Sequence, residues 1–556
     1  MMRAKPREEL SFPATSPARK APPWAKSWIA VLCLGAITVG LQMAAGAYWV
    51  EFASDPDEPA HTVTGIAVDS YVRNGLLHPP VKFLLEYYNH YPKVAIGHWP
   101  PVLYLAEAGA MLLTTPSRYT LLLLQAFFAS VIAWLVFREM RGLVGAVPAF
   151  LGAVALLCTR AVQVGSAMIM ADLLLALTMF LACLAFARYA ESGRTRDAIL
   201  FSLWLSAAVM TKGTGWSLCA VPAFVMVAGR NWRMPLQRGL WVGALIVAAL
   251  CVPWYLATFA LSWKSLSRPP GLAYALDGAL ALARELFRVP GGHITLIGLA
   301  GIYGTLILGR GFGRARTFWV SLMGMVCGLW LTLVIAPVDP NQRYLLAAVP
   351  PMFVLAAAGA RQCAAWIFAP SRRHQAAGTI FAMAALLSLV LSLPVKRKIV
   401  LGFIPVAAAL DAVMPPQTAA VVVSDSLGEG ALISELALKE PNPKVYVVRG
   451  SKLLASQGWE GDHFFSRVHS GGECSRILES VPVSFLIMDR RAKVLPQDYF
   501  YPVESMLRSR SSEWKLVNEF PNSANSPHAI ALYRRASGAQ PLRALPPWVS
   551  PAFRSR

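Results

Sequence analysis

Long apolar stretches separated by short polar breaks run through the first 395 residues, and then the pattern changes. Runs at 28–49, 119–137, 168–189, 240–261, 318–336, 345–369 and 378–394 are each long enough to cross a bilayer as a helix, which takes about 20 residues. Shorter or more broken runs lie at 101–113, 143–158, 198–210, 215–228 and 294–308. The pattern predicts a polytopic α-helical membrane protein of about 12–13 transmembrane helices, counting a possible further span between 98 and 170. Between the first two runs, residues 51–98 are amphipathic and too polar to cross lipid. They are expected to form an external loop with short helices on the membrane surface, where Tyr71, Tyr87, Tyr88 and Tyr91 favour the interface.

From about residue 401 short apolar runs alternate with turn residues, predicting a soluble α/β domain over 401–537. Strands are expected at 419–423, 445–448, 484–488 and 528–533, with a helix from Gly428 through Lys439. The turn Ser424-Asp425-Ser426-Leu427-Gly428-Glu429-Gly430 follows a strand and could cradle an anion, though it matches no phosphate fingerprint well. Residues 538–556 read as a disordered tail, and 1–27 as a basic cytoplasmic segment. No internal repeat is visible.

Composition agrees with the membrane reading. Of 556 residues, 56% are hydrophobic and 15% charged, where soluble chains carry about 25% charge. The net charge of +21 raises the question of nucleic acid, but the basic residues fall in short clusters between spans. Arg138/Arg141, Arg188/Arg194/Arg196, Arg230/Arg233/Arg238, Arg310/Arg314/Arg316 and Arg372/Arg373 form the pattern of cytoplasmic loops, and nucleic-acid binding is excluded as a function class. These anchors place residues 51–98, Asp172, Lys212, the 262–293 connection and 337–343 on the external side of the plasma (inner) membrane. The C-terminal domain falls on the same side if the crossings are odd in number, although Lys396-Arg397-Lys398 pulls it towards the cytoplasm. Seven of the eight cysteines lie in apolar runs and read as small hydrophobes.

Candidate chemistry rests on charges that a lipid-embedded chain would otherwise shed. Residues 28–400 hold fourteen Asp and Glu, five of them between Glu51 and Asp69. Asp55-Pro56-Asp57-Glu58 follows the first span, where a carboxylate would meet a lipid head group as a base; a solvated loop is the plainer alternative. Asp172 opens a long apolar run, where an ionisable group is costly and functional by default, unless it serves the helix dipole. Lys212, in Thr211-Lys212-Gly213, either snorkels to the interface or holds phosphate. Arg343-Tyr344, entering a late run, presents the same choice, since a guanidinium can grip phosphate through two hydrogen bonds. His98 is a further head-group candidate. Trp99-Pro100-Pro101 opens a helix with prolines suited to the first turn. No Ser/His/Asp set, HExxH or Walker loop is present.

At these residues the chain resembles the GT-C membrane glycosyltransferases, closest to the branch of the lipid A aminoarabinose transferase and the dolichyl-phosphate-mannose-dependent protein mannosyltransferases. The matching motifs are Asp57-Glu58, Pro100-Pro101-Val102-Leu103-Tyr104, Asp172, Thr211-Lys212-Gly213 and Arg343-Tyr344, over roughly residues 28–395. Many members place lysine before the Pro-Pro pair; here His98-Trp99 stands there. The resemblance implies an inverting transfer from a polyprenyl-phosphate-linked sugar donor at the non-cytoplasmic face. Asp57 would be the general base with Glu58 beside it, and Asp172 would orient acceptor or loop. Lys212, Arg343 and Tyr344 would contact the donor phosphate. The acceptor would be a lipid, a glycan or a protein. Some members use a divalent metal and others none; Asp55 and Asp57 would be its candidate ligands. The competing reading is a transporter or flippase of a lipid-linked or anionic substrate, which midplane charges and inverted repeats would favour.

Overall fold

The computed structural model describes residues 27–95, 97–264, 272–336, 341–368, 371–392, 394–456, 464–481, 483–490, 498–521 and 529–537. The basic segment before residue 27, the tail after 537, Arg268 and Asp339 lie outside the described residues.

A bundle of apolar helices makes up the first part. Five of them, Arg118–Val144, Asp172–Ser192, Arg238–Phe259, Arg316–Ile335 and Gln342–Ile367, are long and apolar enough to cross a membrane. Two bent pairs raise that to seven, Ala146–Cys158 with Arg160–Ser166 at 63° and Tyr274–Arg288 with Gly292–Ile307 at 95°. The chain is an integral membrane protein. Asp172–Ser192 is buried along nearly its whole length, whereas Arg238–Lys264 exposes Trp241, Leu245, Leu256 and Phe259, as a lipid-facing helix would. Gly292–Ile302 and Val349–Ile367 approach until a Cβ on Gly359 would lie 1.8 Å from the Ile297 carbonyl oxygen, a small-residue contact typical of helices in lipid.

The expected run at 101–113 is the exception to the span count. Val102–Leu113 begins with the Val102 amide on the Met210 carbonyl and ends with Arg73 on the Met111 carbonyl. Both anchors belong to the end of the bundle that carries the first loop. The helix therefore packs on Glu58–Ser70 as part of a surface layer and does not cross. No additional span appears between 98 and 170 either: the run at 143–158 continues through its bend into Arg160–Ser166.

The first loop folds as expected into short helices, Glu58–Ser70, Tyr71–Gly75 and Pro80–His90. The 262–293 connection holds an amphipathic helix, Leu272–Arg288, whose Glu285 accepts from Gln342 at 2.7 Å, tying it to the Arg343 segment. At the far end of the bundle Glu139 pairs with Arg138 and Arg314, drawing two of the basic clusters together.

The C-terminal part is a helix Phe403–Val413 followed by an α/β domain. Its strands are β1 (Ala419–Val423), β2 (Tyr446–Arg449), β3 (Ala455–Ser456), β4 (Phe465–Ser466), β5 (Val483–Asp489), β6 (Trp514–Pro521) and β7 (Ala529–Arg535). The main sheet runs β2-β1-β5-β7-β6, parallel at β2-β1-β5 and antiparallel at β5-β7-β6. β1, β2, β5 and β7 lie where the apolar runs predicted them. β6 was missed because five of its eight side chains in a row are exposed, an edge strand without a buried face to mark it.

This domain sits on the first loop. Glu51 receives the amides of Leu401, Gly402, Phe403 and Ile404 at 2.7–3.2 Å, capping the helix that starts there. Arg118 forks onto both oxygens of Glu435 at 2.6 Å, and Ser70 donates to Asn442 at 2.7 Å. The domain thus lies at the loop's end of the bundle, and Lys396-Arg397-Lys398 does not draw it to the other. The turn after β1 serves this docking. Asp425 caps Ser426–Lys439 by accepting from the Gly428 amide at 2.7 Å, and Gly430 lies so close to Pro59 that a Cβ there would come within 2.7 Å of its ring.

Candidate active site

Four separate segments bring charge to one place. Asp57 is the residue before the Glu58–Ser70 helix, whose first turn is set by Pro59. Asp172 opens Asp172–Ser192; Lys212 precedes the 3-10 helix Gly213–Cys219; Arg343 lies in the 3-10 helix Gln342–Ala348, where Asn341 caps its amide at 3.1 Å. In each case a helix end leaves the bundle surface, so a polar side chain can face a cavity without entering hydrocarbon.

Arg343 is the hub. Its Nη2 donates to Asp57 Oδ2 at 2.8 Å, and its Nη1 pairs with Asp55 Oδ1 at 3.0 Å. Nη2 also donates to the Tyr344 hydroxyl at 3.1 Å. Lys212 Nζ meets Asp172 Oδ1 at 2.6 Å and stands 4.4 Å from the centre of the Tyr344 ring, while the Arg343 guanidinium stands 5.0 Å from it. Both cations therefore gather about one aromatic ring, whose face favours positive charge. Asp57, Asp172, Lys212, Arg343 and Tyr344, chosen from sequence, form one constellation. Asp55 joins it from the side, and burial raises its carboxyl above the usual range despite Arg343.

Asp57 keeps one oxygen free. Oδ2 is taken by Arg343, and Oδ1 has no hydrogen bond among the described residues. The side chain is 24% exposed, so a second molecule can reach it.

Glu58 occupies a different station from its neighbour. Its carboxylate is buried and accepts from Lys398 at 2.8 Å, the Ser54 amide at 2.7 Å and the Ile169 amide at 3.2 Å. It secures the loop from behind and does not enter the constellation. His98 is half-buried, its ring 6.5 Å from that of Trp99, and burial lowers its pKa.

Two residues escaped the sequence reading. His61, one helical turn beyond Asp57, packs against Trp99 at 4.5 Å, bonds Tyr104 at 3.0 Å, and lies in electrostatic reach of Asp57, Lys212, Asp172 and Arg343. The spacing of four from Asp57 was the available signal, since it puts both on one helix face. Lys93 reaches the Pro56 carbonyl at 3.5 Å, and burial lowers its pKa to about 7.

Among the described residues, no three His, Cys, Asp or Glu side chains converge as a metal site. Asp55 and Asp57 converge instead on a guanidinium, whose charge opposes a divalent cation at that position. The donor set does not fit a metal there.

Residues 98–256 match the family described as dolichyl-phosphate-mannose-protein mannosyltransferase. No curated protein matches the chain in sequence. Among solved structures, ArnT from Cupriavidus metallidurans bound to undecaprenyl phosphate is similar with a TM-score of 0.57 and 13% identity, over 93% of this chain and 100% of that one. Archaeal oligosaccharyltransferase AglB from Archaeoglobus fulgidus, in complex with an inhibitory peptide and a dolichol-phosphate, is similar with a TM-score of 0.53 and 11% identity, over 91% and 76%. The chain has the fold of the GT-C membrane glycosyltransferases, and one stretch of it carries a glycosyltransferase family's sequence. The resemblance holds for the fold and for the stretch 98–256.

Proposed function

We propose that the protein is an inverting glycosyltransferase that moves a sugar from a polyprenyl-phosphate donor to a lipid, glycan or protein acceptor at the non-cytoplasmic membrane face. The observation that carries this reading is the pairing of Asp57 with Arg343 and of Asp172 with Lys212 around Tyr344. A base with one free oxygen and two cations within one cluster are what transfer from a phosphate ester needs.

In the proposed reaction Asp57 Oδ1 takes the proton of the acceptor hydroxyl as its oxygen attacks the anomeric carbon. The bond from that carbon to the phosphate oxygen breaks, and polyprenyl phosphate leaves with the electron pair. Lys212 and Arg343 stabilise the charge that grows on the leaving phosphate. They are held by Asp172 and by Asp55 and Asp57 beforehand, so little reorganisation is needed. The basic clusters at the opposite end of the bundle support the non-cytoplasmic placement of the site.

The test compares cells lacking the gene with cells carrying wild type or Asp57→Asn, by mass spectrometry of envelope lipids and glycans. One sugar modification should vanish on deletion, return with wild type and stay absent with Asp57→Asn at equal protein level. Full restoration by Asp57→Asn would overturn the assignment of the base. Movement of a labelled substrate across the membrane without covalent change would favour the transporter reading.

A further inference from the structure

His61 is nearly sealed, 3% exposed, between the loop and the Val102–Leu113 helix. Its Nδ1 lies 3.0 Å from the Tyr104 hydroxyl, itself 1% exposed. Among the described residues that hydroxyl has no other hydrogen-bond partner. A buried O–H left without an acceptor is costly, so the tyrosine must donate to Nδ1. This fixes the tautomer: the ring proton resides on Nε2. Nε2 makes no hydrogen bond among the described residues and is not one of the fully enclosed unpartnered atoms.

The ring is also uncharged at neutral pH. Burial lowers its pKa to about 4, with Lys212 and Arg343 opposing protonation and Asp57 and Asp172 favouring it. A neutral donor is thus presented within electrostatic reach of two cations, one helical turn from Asp57.

We infer that His61, locked by Tyr104, is a ligand-binding residue of the active site whose Nε2–H donates to an oxygen of the donor's sugar-phosphate group. The inference rests on the polyprenyl-phosphate reading above and deepens it. Lys212 supplies charge without a fixed direction, and the Arg343 fork is already shared between Asp55 and Asp57. A single N–H with a fixed tautomer adds a directional contact, which selects one pose. Trp99 packs against the ring at 4.5 Å with the planes tilted by 38° and limits its rotation.

The experiment measures binding of farnesyl phosphate, with farnesol and inorganic phosphate as controls, to the purified full chain in detergent. His61→Phe keeps an aromatic ring and removes the donor; affinity for farnesyl phosphate should fall about ten- to hundredfold, the scale of one hydrogen bond to a charged group. His61→Gln, whose amide nitrogen reaches the Nε2 position, should restore most of it, which a merely packing role would not explain. Nitrogen spectra of the histidine-labelled protein, with nine histidines to resolve, should show a neutral ring protonated at Nε2 for the signal lost in His61→Gln. Tyr104→Phe should release that signal into a tautomer mixture. Unchanged binding in His61→Phe, or a proton on Nδ1, would overturn the inference while leaving the donor reading intact. Wild type that binds none of the polyprenyl phosphate would instead overturn the donor reading, and this inference with it.

Discussion

Lys398 reaches across 340 residues to place its ammonium 2.8 Å from Glu58 Oε1, with the two side chains 4% and 0% exposed. The pair joins the segment leading to the C-terminal domain to the residue beside the proposed base. A buried pair contributes little net stability, but losing one member strands the other charge. Lys398→Met should therefore destabilise the protein by about 3–5 kcal/mol. Lys398→Met with Glu58→Gln should recover part of that loss. Thermal unfolding in detergent checks both, and additive effects in the double variant would show that the pair is not coupled.

The three acids at 55–58 should separate in kinetics because they hold different stations. Asp57→Asn removes a general base and should lower kcat by about 10²–10⁴-fold with a small change in donor KM. Asp55→Asn removes one partner of Arg343 and should act far more weakly. Arg343→Lys keeps the charge but cannot fork between Asp55 and Asp57, so donor KM should rise. Steady-state rates on the three variants decide the ordering.

His61 predicts an acid-sensitive fold. Its pKa falls from 6.5 to about 4 on folding, so the unfolded chain binds the extra proton between those values. Stability from this group is complete above about pH 6.5 and is lost as the pH falls towards 4, about 3 kcal/mol in all. His61→Phe should unfold with a flatter pH dependence over that window. Identical slopes for the two proteins would contradict the burial of a neutral ring.

Gly430 predicts a steric test of the domain junction. A Cβ there would meet Pro59 at 2.7 Å and Lys93 Cε at 3.3 Å. Gly430→Val should cost about 1–3 kcal/mol and loosen the domain from the helix that follows Asp57. Limited proteolysis at residues 394–401 should become faster, and activity should fall although no site residue is altered.

Much of the site was legible before folding because charge is scarce in an apolar chain. Asp172 and Lys212 stand out against the runs that flank them, and Arg343-Tyr344 marks the entry of another. β1, β2, β5 and β7 were legible for the same reason in reverse, as apolar runs in a polar tail. Glu58 was grouped with Asp57 although the two carboxylates take different partners, because adjacency in a helix start does not tell which way each side chain turns. His61 was overlooked because its neighbours Trp99 and Tyr104 come from a segment some forty residues away.

Local chemistry in the chain determined the membrane class, the soluble domain and the set of charges worth keeping, since each follows from the cost of placing a group in lipid or water. Folding alone decided how those charges are shared: Glu51 to a helix start, Asp55 and Asp57 to Arg343, Glu58 to Lys398. It also kept the 101–113 helix from crossing and set the α/β domain over the loop. Pairing of this kind depends on distance through space between residues far apart in sequence, and no local pattern encodes that distance.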